Sequence, residues 1–200
     1  MDEITGYTQY KGLTAQQHVD TFEIFKKFLL QIKPKRILEI GTAGGGFTLF
    51  LRDSLDEIGL EHTSIKTYDI NNQKWYDSLK EKNIDILIEN IFDDSHEKLK
   101  ETSKIISYIQ KRGVTLVLCD GGYKIGEFRA LAPYIKKGDY IMAHDYSPNE
   151  EYFNFNIKNK YWNWLEIQDS DIIDIVNDCN LEPFLQEYFN NVAWVCKIKR

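Results

Sequence analysis

The residues of this chain best suited to chemistry stand at the ends of short apolar runs. Residues 36–48 read RILEIGTAGGGFT, a run carrying Glu39 and then Gly41, Gly44, Gly45 and Gly46. SIKTYDI (64–70) contains Asp69, VTLVLCD (114–120) ends in Asp120, and DYIMAHD (139–145) ends in His144 and Asp145. Glycines between a strand and a helix let the backbone approach a ligand and adopt positive φ, and the helix that follows points free N–H groups at the site. A carboxylate after the next strand can accept hydrogen bonds from ribose hydroxyls. Two carboxylates with an imidazole can hold a hard divalent cation or take a proton from a hydroxyl.

Glu39 tilts the choice between nucleotide-containing cofactors. A carboxylate in front of the loop would repel a pyrophosphate by around 1 kcal/mol. It would attract a cation, and S-adenosylmethionine (SAM) carries a sulfonium and an α-ammonium. The loop is therefore expected to hold SAM through Glu39, Gly41, Thr42, Gly45 and Gly46. Asp69 would take the ribose hydroxyls, with Ile70 against the adenine face. Asn90 and Ile91, after IDILIEN (84–90), would read the adenine edge, and Asp120 would close the pocket. A surface helix cap is the plain alternative for Asp69, and a merely tight turn for the glycines.

Alternating elements must position these residues. Residues 14–33 put Val19, Phe22, Phe25, Phe28 and Leu29 on one helical face, and Pro34 stops that helix. RILEI (36–40) is the first strand, followed by a helix over 46–58, a strand over 64–70 and a helical segment around 72–82. A strand over 84–90 leads to a helix from Asp94 and Ser95 to Arg112, with Gly113 as its C-cap. The nearly all-apolar strand 114–120 is expected to be covered on both faces. A helix over about 124–136, a strand over 139–145 and a helix around 169–179 complete the series. PFLQEYF (183–189) and VAWVCKIK (192–199), flanking Asn190-Asn191, read as an antiparallel hairpin with a tight turn. Strands alternating with helices imply a doubly wound, Rossmann-like α/β fold, expected as a single domain over residues 1–200.

With 42% apolar and 28% charged residues, a net charge of −6 and a pI near 5.3, the chain lacks the basic footprint of a nucleic-acid binder. No apolar run approaches the roughly 20 residues of a membrane span, and MDEITGYTQYKG is no secretory signal. Three cysteines without CxxC spacing argue against a disulfide scaffold or a cysteine zinc site. A cytoplasmic location is expected, with no nucleic-acid or membrane partner; oligomerisation is left open.

Glu39, Gly41, Gly45, Asp69 and the closing antiparallel strand together resemble class I SAM-dependent methyltransferases, over about residues 14–200. More narrowly, PKRILEIGTAGGGFT, CDGGYKIGEFRALAPYIKKGDYIMAHD and VAWVCKIK resemble small bacterial and phage proteins related to macrocin O-methyltransferases and to those called cephalosporin hydroxylases. The resemblance implies a seven-stranded sheet of order 3-2-1-4-5-7-6 with strand 7 antiparallel, bringing Asp120, His144 and Asp145 to one edge. It also implies a divalent metal, Mg2+ or Mn2+, held by an acid after strand four and an acidic pair after strand five. Asp120 and Asp145 match that pattern, whereas His144 replaces an acid.

His144 and Asp145 are thus readable as metal ligands, as a general base with its orienting acid, or as strand-end residues bonded to loop backbone. Lys124 is a second base candidate, because related metal-dependent catechol-type methyltransferases have a lysine near this place, one residue nearer the acid. Its plainer reading is a solvated lysine, and Glu127 and Arg129 read as an exposed helix face. His18, His62 and His96 lack ligand spacing and read as structural or solvent-facing.

Residues 146–164 are expected to form an active-site loop in which Trp162 and Trp164 anchor and Tyr152, Phe153 and Phe155 meet substrate. Residues 7–17 are candidates to fold over the same cleft. The expected activity is O-methylation of a hydroxylated small molecule or glycan. The competing readings are an NAD-type Rossmann enzyme, a nucleic-acid methyltransferase and a SAM-binding module without activity.

Overall fold

The computed structural model describes residues 8–94, 98–100 and 104–200. Seven strands form its main sheet: β1 (Arg36–Ile40), β2 (Ser64–Asp69), β3 (Ile84–Ile88), β4 (Thr115–Cys119), β5 (Tyr140–Ala143), β6 (Leu181–Pro183) and β7 (Val195–Lys199). Their order across the sheet is 3-2-1-4-5-7-6, as expected. β7 runs antiparallel to both neighbours, and every other adjacent pair is parallel.

The strand sequences explain the layering. Every residue of β1, β4 and β5 is buried, the signature of strands covered on both faces. Alternate residues serve opposite faces. Ile37, Leu116, Leu118 and Met142 join one apolar cluster with Phe25, Phe28, Phe47 and Trp194. Leu38, Val117, Cys119 and Ile141 join the other with Ile105, Phe128 and Ile172. The first layer holds α1 (Asp20–Ile32), α2 (Gly46–Glu57) and α3 (Tyr76–Lys80); the second holds α4 (Ile105–Ile109), α5 (Lys124–Leu131) and α6 (Asp169–Asp178). Among the described residues, no helix is long and apolar enough to cross a membrane.

Several boundaries differ from expectation. The first helix begins at Asp20, not residue 14, because Leu13–Thr14 pairs with Gln9–Tyr10 as a small hairpin; Val19 is exposed. The helix expected over 94–112 is described only as α4, and Ser95 and His96 lie outside the described residues. The helix beyond Leu131 tightens into a 3₁₀ turn at Ala132–Tyr134, where Pro133 removes a donor.

The closing hairpin is antiparallel but has no two-residue turn. Gln186–Asn190 is helical (α7), so β6 ends at Pro183 and β7 begins at Val195. Helix wins locally because Phe189 buries itself against Phe25 and Phe28, and the Gln186 side chain bonds the backbone at Trp194 and Cys196.

Candidate active site

Register brings the chemistry to one edge. Ile40 pairs with both Tyr68 and Cys119, and Cys119 pairs with Ala143, so the next residues of β1, β4 and β5 emerge side by side. A cavity of about 710 Å3 opens there. From the β2–β3 side, Gly41, Asp69, Ile70, Asn90 and Ile91 line it; from the β4–β5 side, Asp120, Lys124, His144 and Asp145 do. This is the expected position for a ligand in an open α/β sheet.

The glycine loop serves chain packing as much as ligand approach. Gly41 has φ +91°, and a Cβ there would lie 2.3 Å from the Asp120 carbonyl oxygen. A Cβ on Gly44 or Gly46 would lie 2.3 or 2.5 Å from the carbonyl oxygens of Thr14 or Leu13. These two glycines admit the N-terminal hairpin, and Gly45, with φ +75°, starts α2. Thr42, Gly45 and Gly46, expected at the cofactor, do not line the cavity; Thr42 is buried with its hydroxyl 2.7 Å from that of Thr67.

Glu39 is likewise not in front of the loop but buried behind it. The Thr48 hydroxyl donates to its carboxylate at 2.6 Å. Burial pushes its pKa up to about 7, against the hydrogen bonds from Thr48 and Thr67. Glu39 therefore ties β1 to α2 and β2.

Asp69 lines the cavity and also closes the loop. It accepts from the Ala43 amide at 2.8 Å, the Asn71 amide at 2.8 Å and the Tyr76 hydroxyl at 3.2 Å. Ile70 is exposed, and Asn90 turns the chain by accepting from the Phe92 amide.

Asp120, His144 and Asp145 converge: one donor atom from each lies within 4.8 Å of the others. His144 Nδ1 stands 3.1 Å from Asp120 Oδ1 and 3.7 Å from Asp145 Oδ1. The imidazole stacks on Trp194 at 4.8 Å and meets Trp162 at 4.7 Å, and its buried Nε2 has no partner among the described residues. Burial alone would lower the His144 pKa, but Asp120 and Asp145 hold it above the ordinary value. Asp145 adopts φ +57°, a left-handed conformation that turns the chain off β5. Its Oδ1 accepts from the Trp162 indole N–H and its Oδ2 receives Lys124.

Lys124 is no solvated lysine. Its buried ammonium lies 2.6 Å from Asp145 Oδ2 and 3.0 Å from Glu166 Oε2. Burial opposes the charge, but Asp120 and Asp145 hold the pKa well above the usual lysine range, so Lys124 is a fixed cation and not a base. Glu127 is also buried, correcting its expected exposure: it accepts from the Gly121 and Tyr123 amides and so pins the turn into α5. Burial raises its pKa to about 7. Arg129 pairs with Asp174 on α6.

As a metal site this donor set is compromised. All four oxygens of Asp120 and Asp145 already face protein donors: His144, Gln17, Trp162 and Lys124. At an effective dielectric of about 20, an ammonium roughly 4 Å from a divalent ion repels it by roughly 8 kcal/mol and so cancels the attraction of one carboxylate at that distance. The residues fit an internal lysine better than a divalent ion.

Expectations for the loops divide. The segment before α1 does reach the cleft: buried Gln17 donates to Asp120 Oδ2 at 2.9 Å and accepts from the Trp194 indole at 2.8 Å. Tyr7 lies outside the described residues. In the 146–164 loop Trp162 is the anchor expected, buried with Phe153 and Ile157 and bonded to Asp145, but it also lines the cavity. Phe153 is buried in a small cluster with Ile157, Phe155 is exposed, and neither they nor Tyr152 line the cavity, whereas Trp162 and Trp164 do. His18 packs edge-on against Tyr161, and His62 is exposed.

Trp194 and Glu166 are not expected at the site from sequence, whereas Gln17 is expected only as the end of a segment over the cleft and Trp162 only as a loop anchor.

No curated protein matches the chain by sequence. Among solved structures, an apo form of CmcI (CmcI-N160) has a TM-score of 0.62 at 13% identity over 96% of this chain and 76% of its own. A second CmcI structure, with Mg and SAM in its name, has a TM-score of 0.58 at 14% identity over 96% and 77%. A putative caffeoyl-CoA O-methyltransferase from Staphylococcus aureus has a TM-score of 0.55 at 15% identity over 90% and 83%. These likenesses concern the fold. The family model for FtsJ-like methyltransferases matches residues 20–154, more than half of the chain. The chain belongs to the FtsJ-like methyltransferase family.

Proposed function

We propose that this protein transfers a methyl group from SAM to a hydroxyl oxygen of a small molecule or sugar. The supporting observation is that one cavity joins Gly41, Asp69 and Asn90 to the cluster of Asp120, Lys124, His144 and Asp145. Asp69 would accept from the ribose hydroxyls and Asn90 and Ile91 would flank the adenine, leaving the sulfonium methyl toward β4 and β5. Structures of CmcI carry SAM or S-adenosylhomocysteine in their names, and this chain shares their fold.

Methyl transfer is an in-line displacement: the O–C bond forms as the S–C bond breaks, and the acceptor hydroxyl gives up its proton. The site must align the two reactants and receive that proton. Lys124 supplies a fixed positive charge that favours the developing oxyanion. The Asp120 carboxylate, which lines the cavity 3.1 Å from His144 Nδ1, takes the proton. Trp162 and Trp164 flank the acceptor side with aromatic faces suited to a ring.

A metal-assisted form has one observation in its favour, the convergence of Asp120, His144 and Asp145. Lys124 weighs against it. Titration calorimetry with SAM, S-adenosylhomocysteine and NAD tests the cofactor. S-adenosylhomocysteine should bind and NAD should not, and the reverse pattern would overturn the reading. Transfer of label from methyl-labelled SAM to catechols and glycosides tests the acceptor.

A further inference from the structure

The centre carries a cation of its own. Lys124 leaves the first turn of α5 and reaches both Asp145 and Glu166. Its placement is built rather than incidental. The turn before it is pinned by Glu127 through the Gly121 and Tyr123 amides, and the left-handed backbone of Asp145 leads into the loop that bears Glu166. Lys124 and Asp145 are both buried, where solvent screens their attraction little. An ammonium has three donors. Two face these carboxylates, which leaves the third for an oxygen in the cavity that Lys124 lines.

We propose that the Lys124 ammonium is the resident cation of this centre, standing where a divalent ion would otherwise balance Asp120 and Asp145, and that the centre excludes such an ion. Exclusion of the ion follows from charge and geometry alone.

The test is a Mn2+ titration of the protein without cofactor or acceptor, followed by electron paramagnetic resonance. The wild type should show no saturable binding up to about 1 mM Mn2+. Lys124→Met, or Lys124→Gln if the first variant does not fold, should gain a site at least ~10-fold tighter, and Lys124→Arg should remain without one. Saturable binding by the wild type that Asp145→Asn abolishes would overturn the proposal. So would a folded neutral variant that still binds no Mn2+, because Lys124 would then not be what keeps the ion out. Failure of S-adenosylhomocysteine to bind would instead remove the methyltransferase reading and leave the ion exclusion standing.

Discussion

The ammonium of Lys124 and the carboxylate of Asp145 lie 2.6 Å apart, and both side chains are buried. Breaking a buried pair from one side leaves an uncompensated charge. Lys124→Ala should therefore lower unfolding free energy by about 3 kcal/mol, read by chemical denaturation at pH 7.5. The double variant Lys124→Ala/Asp145→Asn should recover part of the loss. Single-variant losses for Lys124→Ala and Asp145→Asn that simply add in the double variant would show that the pair is not coupled.

Glu39 makes stability depend on pH. Its pKa rises from the ordinary 4.5 to about 7 on folding. The stability linked to its protonated form is present in full below about pH 4.5 and is lost as pH rises through 7. Glu39→Gln should flatten the fall in melting temperature between pH 5.5 and 8. It should also raise stability at pH 8, where the wild type keeps a buried charge. An unchanged slope would exclude Glu39 as its source.

Gly44→Ala should loosen the N-terminal hairpin, because its Cβ would meet the Thr14 carbonyl oxygen at 2.3 Å. Overpacking of this kind costs roughly 1–3 kcal/mol. Amide exchange should speed up at Ala15, whose N–H bonds Thr8 O. Protection equal to the wild type there would mean that the backbone yields without strain.

Gln17→Leu should leave the buried Trp194 indole N–H without its acceptor and remove a donor from Asp120. An unpaired buried donor costs about 1–3 kcal/mol. The proposed activity should fall while S-adenosylhomocysteine affinity stays within about twofold. A loss of cofactor affinity alone would place Gln17 elsewhere in the mechanism.

Asp69→Ala should weaken S-adenosylhomocysteine binding about 10-fold or more by calorimetry, corresponding to a lost hydrogen bond to a charged group. Tyr76→Phe, which removes only one donor from Asp69, should have a smaller effect. Unchanged affinity in Asp69→Ala would take the ribose away from this residue.

The sequence by itself determined the sheet. Apolar runs such as RILEI and TLVLC call for a sheet covered by helices on both faces, and their ends fix which residues reach the edge. Asp69, Asp120, His144 and Asp145 were legible for that reason: strand register is local pattern repeated. What only the tertiary structure decided are contacts between residues far apart in the chain. Glu39 sits behind the loop because Thr48 and Thr67 close over it. Lys124 is buried because Asp145 and Glu166 meet it from another loop. Gln17 joins the centre across 103 positions to Asp120 and 177 to Trp194. No spacing rule carries such information, since burial of a charge depends on which partners the whole fold brings to it, and those partners turned a solvated-looking lysine into the cation of the site.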